Sequence, residues 1–142
     1  MARIDRKRLD AAEFPVTVEI ATRFADLDMQ GHVNNAAAAL LLQEARAAFN
    51  RTANLPDLKG KLRAMVAALN IEYAGEMGYP APVEISTGIL DIGRTSFTLV
   101  QIARQHGRAG LYAQTVMVVA DADGPAPIPD MLRAAYDRLR IR

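Results

Sequence analysis

The sequence predicts an α+β domain in which one long helix lies against an antiparallel sheet. Three observations carry this. A period-two segment, FPVTVEIATRF, follows a polar leader; a helical segment, NAAAALLLQEARAAFN, comes next; four further β-type runs fill most of the remaining chain. One helix set among five strands leaves the strands to pair with one another and the helix to cover one face. At 142 residues, 51% of them hydrophobic, the chain is sized for one core, so residues 1–142 are expected to form a single domain without room for a second catalytic one.

In the first strand Phe14, Val16, Val18 and Ile20 point one way and Thr17, Glu19 and Arg23 the other. The helix is predicted from about Asn35 to Asn50, with Leu40, Leu41, Ala45 and Ala48 as its apolar stripe. Four alanines, 36–39, suit both helix formation and close packing against a curved sheet, and they also leave space for an extended acyl chain. RTANLPDLKGK reads as a loop broken by Pro56 and Gly60. LRAMVAALNIEYAGE, PVEISTGILDI, TSFTLVQIARQ and GLYAQTVMVVAD then read as strands, and the short HGRAG link between the last two as a hairpin connection. A proline-rich linker leads to a short amphipathic helix from about Pro129.

Several function classes are excluded. The formal net charge is +1, and the basic residues are scattered except for RIDRKR at 3–8, so no stripe suits a phosphate backbone and nucleic acid is not expected as a partner. The absence of cysteine removes disulfides, thiolate nucleophiles and cysteine-based zinc sites. No window approaches a membrane span and the basic leader lacks the apolar segment of a signal peptide, so a cytoplasmic protein without a membrane partner is expected.

Chemistry concentrates in ADLDMQGHVNN, residues 25–35. As a calcium loop it fails, because its fifth position is Gln30 and its twelfth, which should be a bidentate glutamate, is Ala37. Asp26, Asp28 and His32 are too few donors for a metal, and the only other histidine, His106, falls in the hairpin turn; no metal and no cofactor is expected. Ser86 and Ser96 lie in strand patterns without a G-x-S-x-G turn. Asp26, His32 and Asn34 read as turn and cap residues, with Asn34 or Asn35 as N-cap and Gly31 supplying the turn conformation. Asp28 differs, since it lies where strand runs into helix, near the free N–H groups of the first turn. Such groups can hold a developing oxyanion, and a carboxylate beside them can activate water or attack a carbonyl, a pair suited to acyl transfer to water.

TRFADLDMQGHVNN followed by a helix ending in QEARAAF resembles the acyl-CoA thioesterases of the 4-hydroxybenzoyl-CoA thioesterase family. Phe24, Asp26, Asp28, Gly31, His32, Val33, Asn34 and Asn35 occupy its motif; NIEY at 70–73 and DIGRTSFTL at 91–99 extend the likeness over roughly residues 16–120. The resemblance implies the hotdog fold, a five-stranded antiparallel sheet wrapped around one long helix, assembled as homodimers or homotetramers with active sites at the dimer interface. It implies acyl-CoA hydrolysis with Asp28 as catalytic carboxylate, as base or nucleophile, and the backbone N–H of Asn35 as oxyanion donor. Gly31, His32, Val33 and Asn34 would shape the substrate loop. Arg94, Arg63 and the basic leader could meet the phosphates of CoA or an acidic acyl carrier protein. The chain departs from the pattern at Ala38, where an aromatic is usual and a differently lined acyl pocket follows, and at Pro80-Ala81, which replace a G-D pair. An acyl-carrier-protein thioesterase and a non-catalytic acyl-thioester binder are the other readings.

Overall fold

The structure, a computed structural model, describes residues 2–55, 58 and 60–142. The order of elements is α1 (Arg6–Ala11), β1 (Val16–Ile20), α2 (Asn35–Thr52), β2 (Arg63–Tyr73), β3 (Val83–Ile92), β4 (Ser96–Gln105), β5 (Arg108–Asp121), β6 (Gly124–Pro125) and α3 (Asp130–Arg138). Five antiparallel strands form one curled sheet in the order β1-β3-β4-β5-β2, and the two-residue β6 adds to β5 past the end of β4. The long helix α2 rests on the β1 and β3 side, and the C-terminal helix follows the sheet. This is the hotdog arrangement.

The predicted period-two and helical runs become these elements because their apolar faces meet. Val16, Val18 and Ile20 pack inward from β1. The HGRAG link is a two-residue turn: His106 (φ 53°) and Gly107 (φ 74°) both have positive φ, as the hairpin turn matching strand twist requires, and Gln105 pairs with Arg108. The inner core has two parts along α2, one around Leu42, Ala45, Ile85 and Leu111, the other around Phe49, Ile89, Phe97 and Val119.

Four expectations need correction. The leader is not merely polar: residues 6–11 form α1, capped by the Asp5 carboxylate, and Ile4 and Leu9 cover Val100, Ile102 and Tyr112 on the outer sheet face. β1 stops at Ile20, and Phe24–Asp26 form a 3₁₀ turn in which the Asp26 carboxylate accepts the Arg23 backbone N–H. Leu40 is 54% exposed and Ala48 only half-buried; the stripe that meets the sheet is Ala38, Leu41, Leu42, Ala45 and Phe49, because the sheet faces the flank of α2 centred on Leu42. Helix α2 runs to Thr52, past the predicted end at Asn50. Pro56, the expected breaker, lies outside the described residues.

The sheet has two differently treated edges. β1 pairs with β3 only from Val16↔Thr87 to Ile20↔Val83, and beyond Thr87 the tail takes over, with Ile89 N–H donating to the Leu139 carbonyl and Ile141 N–H to that of Ile89. At the opposite edge β2 pairs with β5 on one side and, among the described residues, with no strand on the other. Met65 and Val66 are about half exposed there.

Candidate active site

The motif folds as a tight loop delivering the chain into α2. Asp26 accepts the Asn34 N–H on its carbonyl at 2.8 Å, Leu27 bridges Val33, and Asp28 donates its N–H to the His32 carbonyl at 2.8 Å, so residues 26–34 double back like a short hairpin. Gly31, at φ 80°, turns the tip. The loop is fastened to the rest of the molecule by the Val33 N–H, which donates to the Met77 carbonyl at 2.7 Å.

The two aspartates have opposite fates. Asp26 is buried and belongs to the scaffold: Oδ1 accepts Nη2 of Arg23 at 2.7 Å and Oδ2 the Arg23 backbone N–H at 3.0 Å. Hydrogen bonding by the Arg23 side chain, against the opposing cost of burial, holds its carboxyl below the usual range. Asp28 is exposed. Its Oδ1 accepts the N–H groups of Gln30 at 2.9 Å and His32 at 3.1 Å, which fixes the carboxylate, and Oδ2 takes no hydrogen bond among the described residues.

Asn34, not Asn35, is the N-cap of α2; its Oδ1 accepts the Ala37 N–H at 2.8 Å. The N–H groups of Asn35 and Ala36, which precede that bonded donor, have no acceptor among the described residues and remain available to an anion at the helix start. His32 is half-exposed and places Nε2 3.2 Å from a Glu76 carboxylate oxygen. Asp28, Gly31, His32, Val33, Asn34 and Asn35 thus gather at one end of the sheet.

Arg94 does not join them within one chain. It lies exposed in the β3–β4 turn, whereas the loop's neighbour Gly78 bonds to Gln105 at the other end of β4. Eight strand positions separate Phe97 from Gln105, so Arg94 stands about 30 Å away along the sheet. Ala38, the departure from the family pattern, is buried in the inner core beside Leu42 and Met77.

The residues 73–79 support the site in a way the sequence pattern did not announce. Tyr73 donates its hydroxyl to the Asn35 carbonyl at 3.3 Å, Glu76 meets His32, and the Met77 carbonyl holds Val33. Tyr79 packs edge-on to Phe24 at 6.1 Å between ring centroids. Tyr73 lies inside the NIEY segment, which was the one signal available. Two cavities flank α2. One, of about 600 Å³, runs along the β1 side past Arg23, Leu41 and Glu44. The other, of about 680 Å³, lies beyond the helix end between Asn50, Ala64 and Tyr136, whose hydroxyl burial pushes up to about 12.

Among the described residues no three metal-binding side chains gather, and no helix is long and apolar enough to cross a membrane. An antiparallel sheet of five strands curled round one long helix is the hotdog architecture. The family model of the thioesterase-like superfamily matches residues 22–136, and the chain belongs to that superfamily. No curated protein matches it by sequence. Among solved structures it is similar to a predicted thioesterase from Bacillus stearothermophilus, at 29% identity over 87% of this chain and 95% of that one, TM-score 0.78. It is also similar to a thioesterase from Thermus thermophilus complexed with coenzyme A and zinc, at 26% identity over 89% and 95%, TM-score 0.76. A thioesterase-superfamily protein from Jannaschia sp. CCS1 is 25% identical over 92% and 86%, TM-score 0.78. Family and neighbours together point to thioester hydrolysis.

Proposed function

We propose that the protein is an acyl-CoA thioesterase, cleaving an acyl-CoA thioester to the free acid and CoA, with Asp28 as its catalytic carboxylate. The observation that carries this reading is the 26–34 loop, which pins one Asp28 oxygen with two backbone N–H groups, leaves the other without a partner among the described residues, and ends at a helix start with two donors likewise unpaired among them. Asp28 takes the proton of an attacking water or attacks the thioester carbon itself. In both routes charge develops on the carbonyl oxygen, the Asn35 N–H holds it, and the carbon–sulfur bond breaks to release the CoA thiolate; in the first route the proton held by Asp28 passes to the thiolate, and in the second the acyl group stays on Asp28 as an anhydride until water hydrolyses it to the free acid. Gly31, His32, Val33 and Asn34 hold the loop in shape. The CoA in the Thermus structure supports CoA over a carrier protein, and the motif's likeness to the 4-hydroxybenzoyl-CoA thioesterases supports the same carboxylate role.

Arg94 belongs to this reading through a second copy: since it stands far from Asp28 in its own chain, it serves CoA phosphates where a neighbouring chain brings it round. The open β2 edge supports a homodimer joined there, or a homotetramer built from two such pairs. The test is thiol release from short, long and aromatic acyl-CoAs by the wild type and by Asp28→Asn. Loss of about 10²- to 10³-fold in kcat with the fold intact is expected. Near-native rates in Asp28→Asn would remove Asp28 from the chemistry, and release only from acyl carrier protein would move the substrate to that carrier.

A further inference from the structure

Arg46 is a half-buried cation that pairs with no anion among the described residues. Its one side-chain hydrogen bond among the described residues runs from Nη1 to the neutral Oε1 of Gln101, at 3.3 Å, and burial lowers its pKa. Gln101 is fully buried in β4; its Nε2 donates to the Leu42 carbonyl and to Thr87 Oγ1, both at 3.2 Å. Thr87 lies on β3, so the amide nitrogen faces β3, and the oxygen with its guanidinium faces the neighbour on the other side, β5. There Gln101 pairs with Ala113, whose methyl leaves room, and two residues on is Thr115, fully buried with no partner for its hydroxyl among the described residues. Thr115 pairs with Leu69 and Leu99, which both pack in clusters containing α2 side chains, so it faces the helix.

These groups lie along one flank of α2. Asn35, Ala39, Arg46 and Asn50 recur at helical spacing; Asn35 is bonded by Tyr73 of β2 and Asn50 shares a cavity with Ala64 of β2, so this flank faces β2. Between the open N–H of Asn35 and the guanidinium stand the small, half-buried Ala39 and, toward the sheet, the buried Leu42, and the half-buried Leu69 and Ile71 of β2 pack against the same core. A desolvated guanidinium with one neutral acceptor and a buried hydroxyl with none are costly to keep, and a ligand acceptor would satisfy both.

We infer that Arg46, supported by Thr115, binds the far end of the acyl group, and that the protein takes acyl thioesters whose acyl chain ends in a carboxylate. The inference rests on the thioesterase reading above. Eleven helical positions separate Asn35 from Arg46, about 16 Å of rise, and an arginine on a helix reaches back toward the N-terminus, leaving about 10 Å between thioester and guanidinium. That is the length of a chain of about eight carbons.

The experiment compares suberyl-CoA with octanoyl-CoA, of equal length, for the wild type, Arg46→Met and Arg46→Gln. The wild type is expected to prefer suberyl-CoA. The ratio of kcat/KM for the two, which cancels general damage to the site, falls in both variants by about tenfold to a hundredfold, mainly through KM on suberyl-CoA, as loss of a hydrogen bond to a charged group implies. Equal losses on both thioesters, or a preference that survives removal of the charge, would overturn the inference. Calorimetric binding of the same two thioesters to wild type and Arg46→Met separates the two readings. If neither is hydrolysed, the thioesterase reading fails, and Arg46-dependent binding of suberyl-CoA still decides the role of Arg46.

Discussion

Replacing Arg23 by alanine is expected to destabilise the protein more than replacing Asp26 by asparagine, although Arg23 is the exposed partner. The Asp26 side chain is 3% exposed and that of Arg23 68%. In Arg23→Ala the backbone N–H still meets Oδ2, but the carboxylate loses the side-chain donors at 2.7 and 3.1 Å and stays buried as an anion. Breaking a fully buried pair from one side costs about 3–5 kcal/mol, and because this pair opens to water on the arginine side the loss here falls below that range while still exceeding that of Asp26→Asn. Asp26→Asn keeps the size and an acceptor oxygen and leaves only a hydrated guanidinium behind, a loss of about 1 kcal/mol. For a chain of this length the Asp26→Asn midpoint drops by about 2–4 °C, and that of Arg23→Ala by more.

The difference carries a pH signature. In the wild type the Arg23 hydrogen bonds hold the Asp26 carboxyl below its usual range. A depressed folded-state pKa contributes stability above the unfolded carboxylate value, about 4, and that stability is lost as pH falls through the lower folded value. Without the arginine side chain the burial cost remains and the carboxyl rises, so the gap between wild type and Arg23→Ala narrows on acidification below about pH 4. Thermal unfolding of wild type, both single variants and the double variant, at neutral and acidic pH, measures this. A larger loss in Asp26→Asn, or a gap independent of pH, would refute the assignment of Asp26 as a buried scaffold carboxylate.

Two further outcomes follow from the packing around the same loop. Asn34→Ala removes the cap bonded to Ala37 and is expected to cost about 1 kcal/mol in unfolding free energy, with Asn34→Ser restoring most of it; a serine variant as weak as alanine would show that capping is not what Asn34 does. Phe49→Ala, at a side chain only 1% exposed between α2 and the sheet, is expected to cost about 3–5 kcal/mol in denaturant unfolding, and a loss below about 1 kcal/mol would mean that the second core cluster is not held by this ring.

Local rules made much of this protein readable before its structure. The β-type runs PVEISTGILDI and TSFTLVQIARQ survive as β3 and β4, strands rich in β-branched residues whose middles are buried on both faces, against α2 inside and under Ile4 and Leu9 outside. His106-Gly107 was legible as a hairpin because its residues tolerate the left-handed conformation that two-residue turns need. Asp28 and the helix start could be singled out since the groups that position them lie within a few residues, Gln30, His32 and Asn34.

What the sequence could not decide was set by groups distant along the chain. The turn of α2 that puts Leu42 inward and Leu40 outward depends on where the sheet lies, and a helix whose face begins with four alanines has no internal reason to choose. Helix α1 is too short to signal itself; it exists because Ile4 and Leu9 find Val100, Ile102 and Tyr112. The separation of Arg94 from Asp28, the open edge of β2, and the meeting of Arg46 with Gln101 all follow from the strand order β1-β3-β4-β5-β2. Strand order is a matter of non-local pairing. The sequence by itself determined the long helix, the five main strands, the turn chemistry and the acidic loop, because these are governed by neighbours in the chain; the tertiary structure alone decided that α1 forms and which side chains share a space, because that is governed by the sheet.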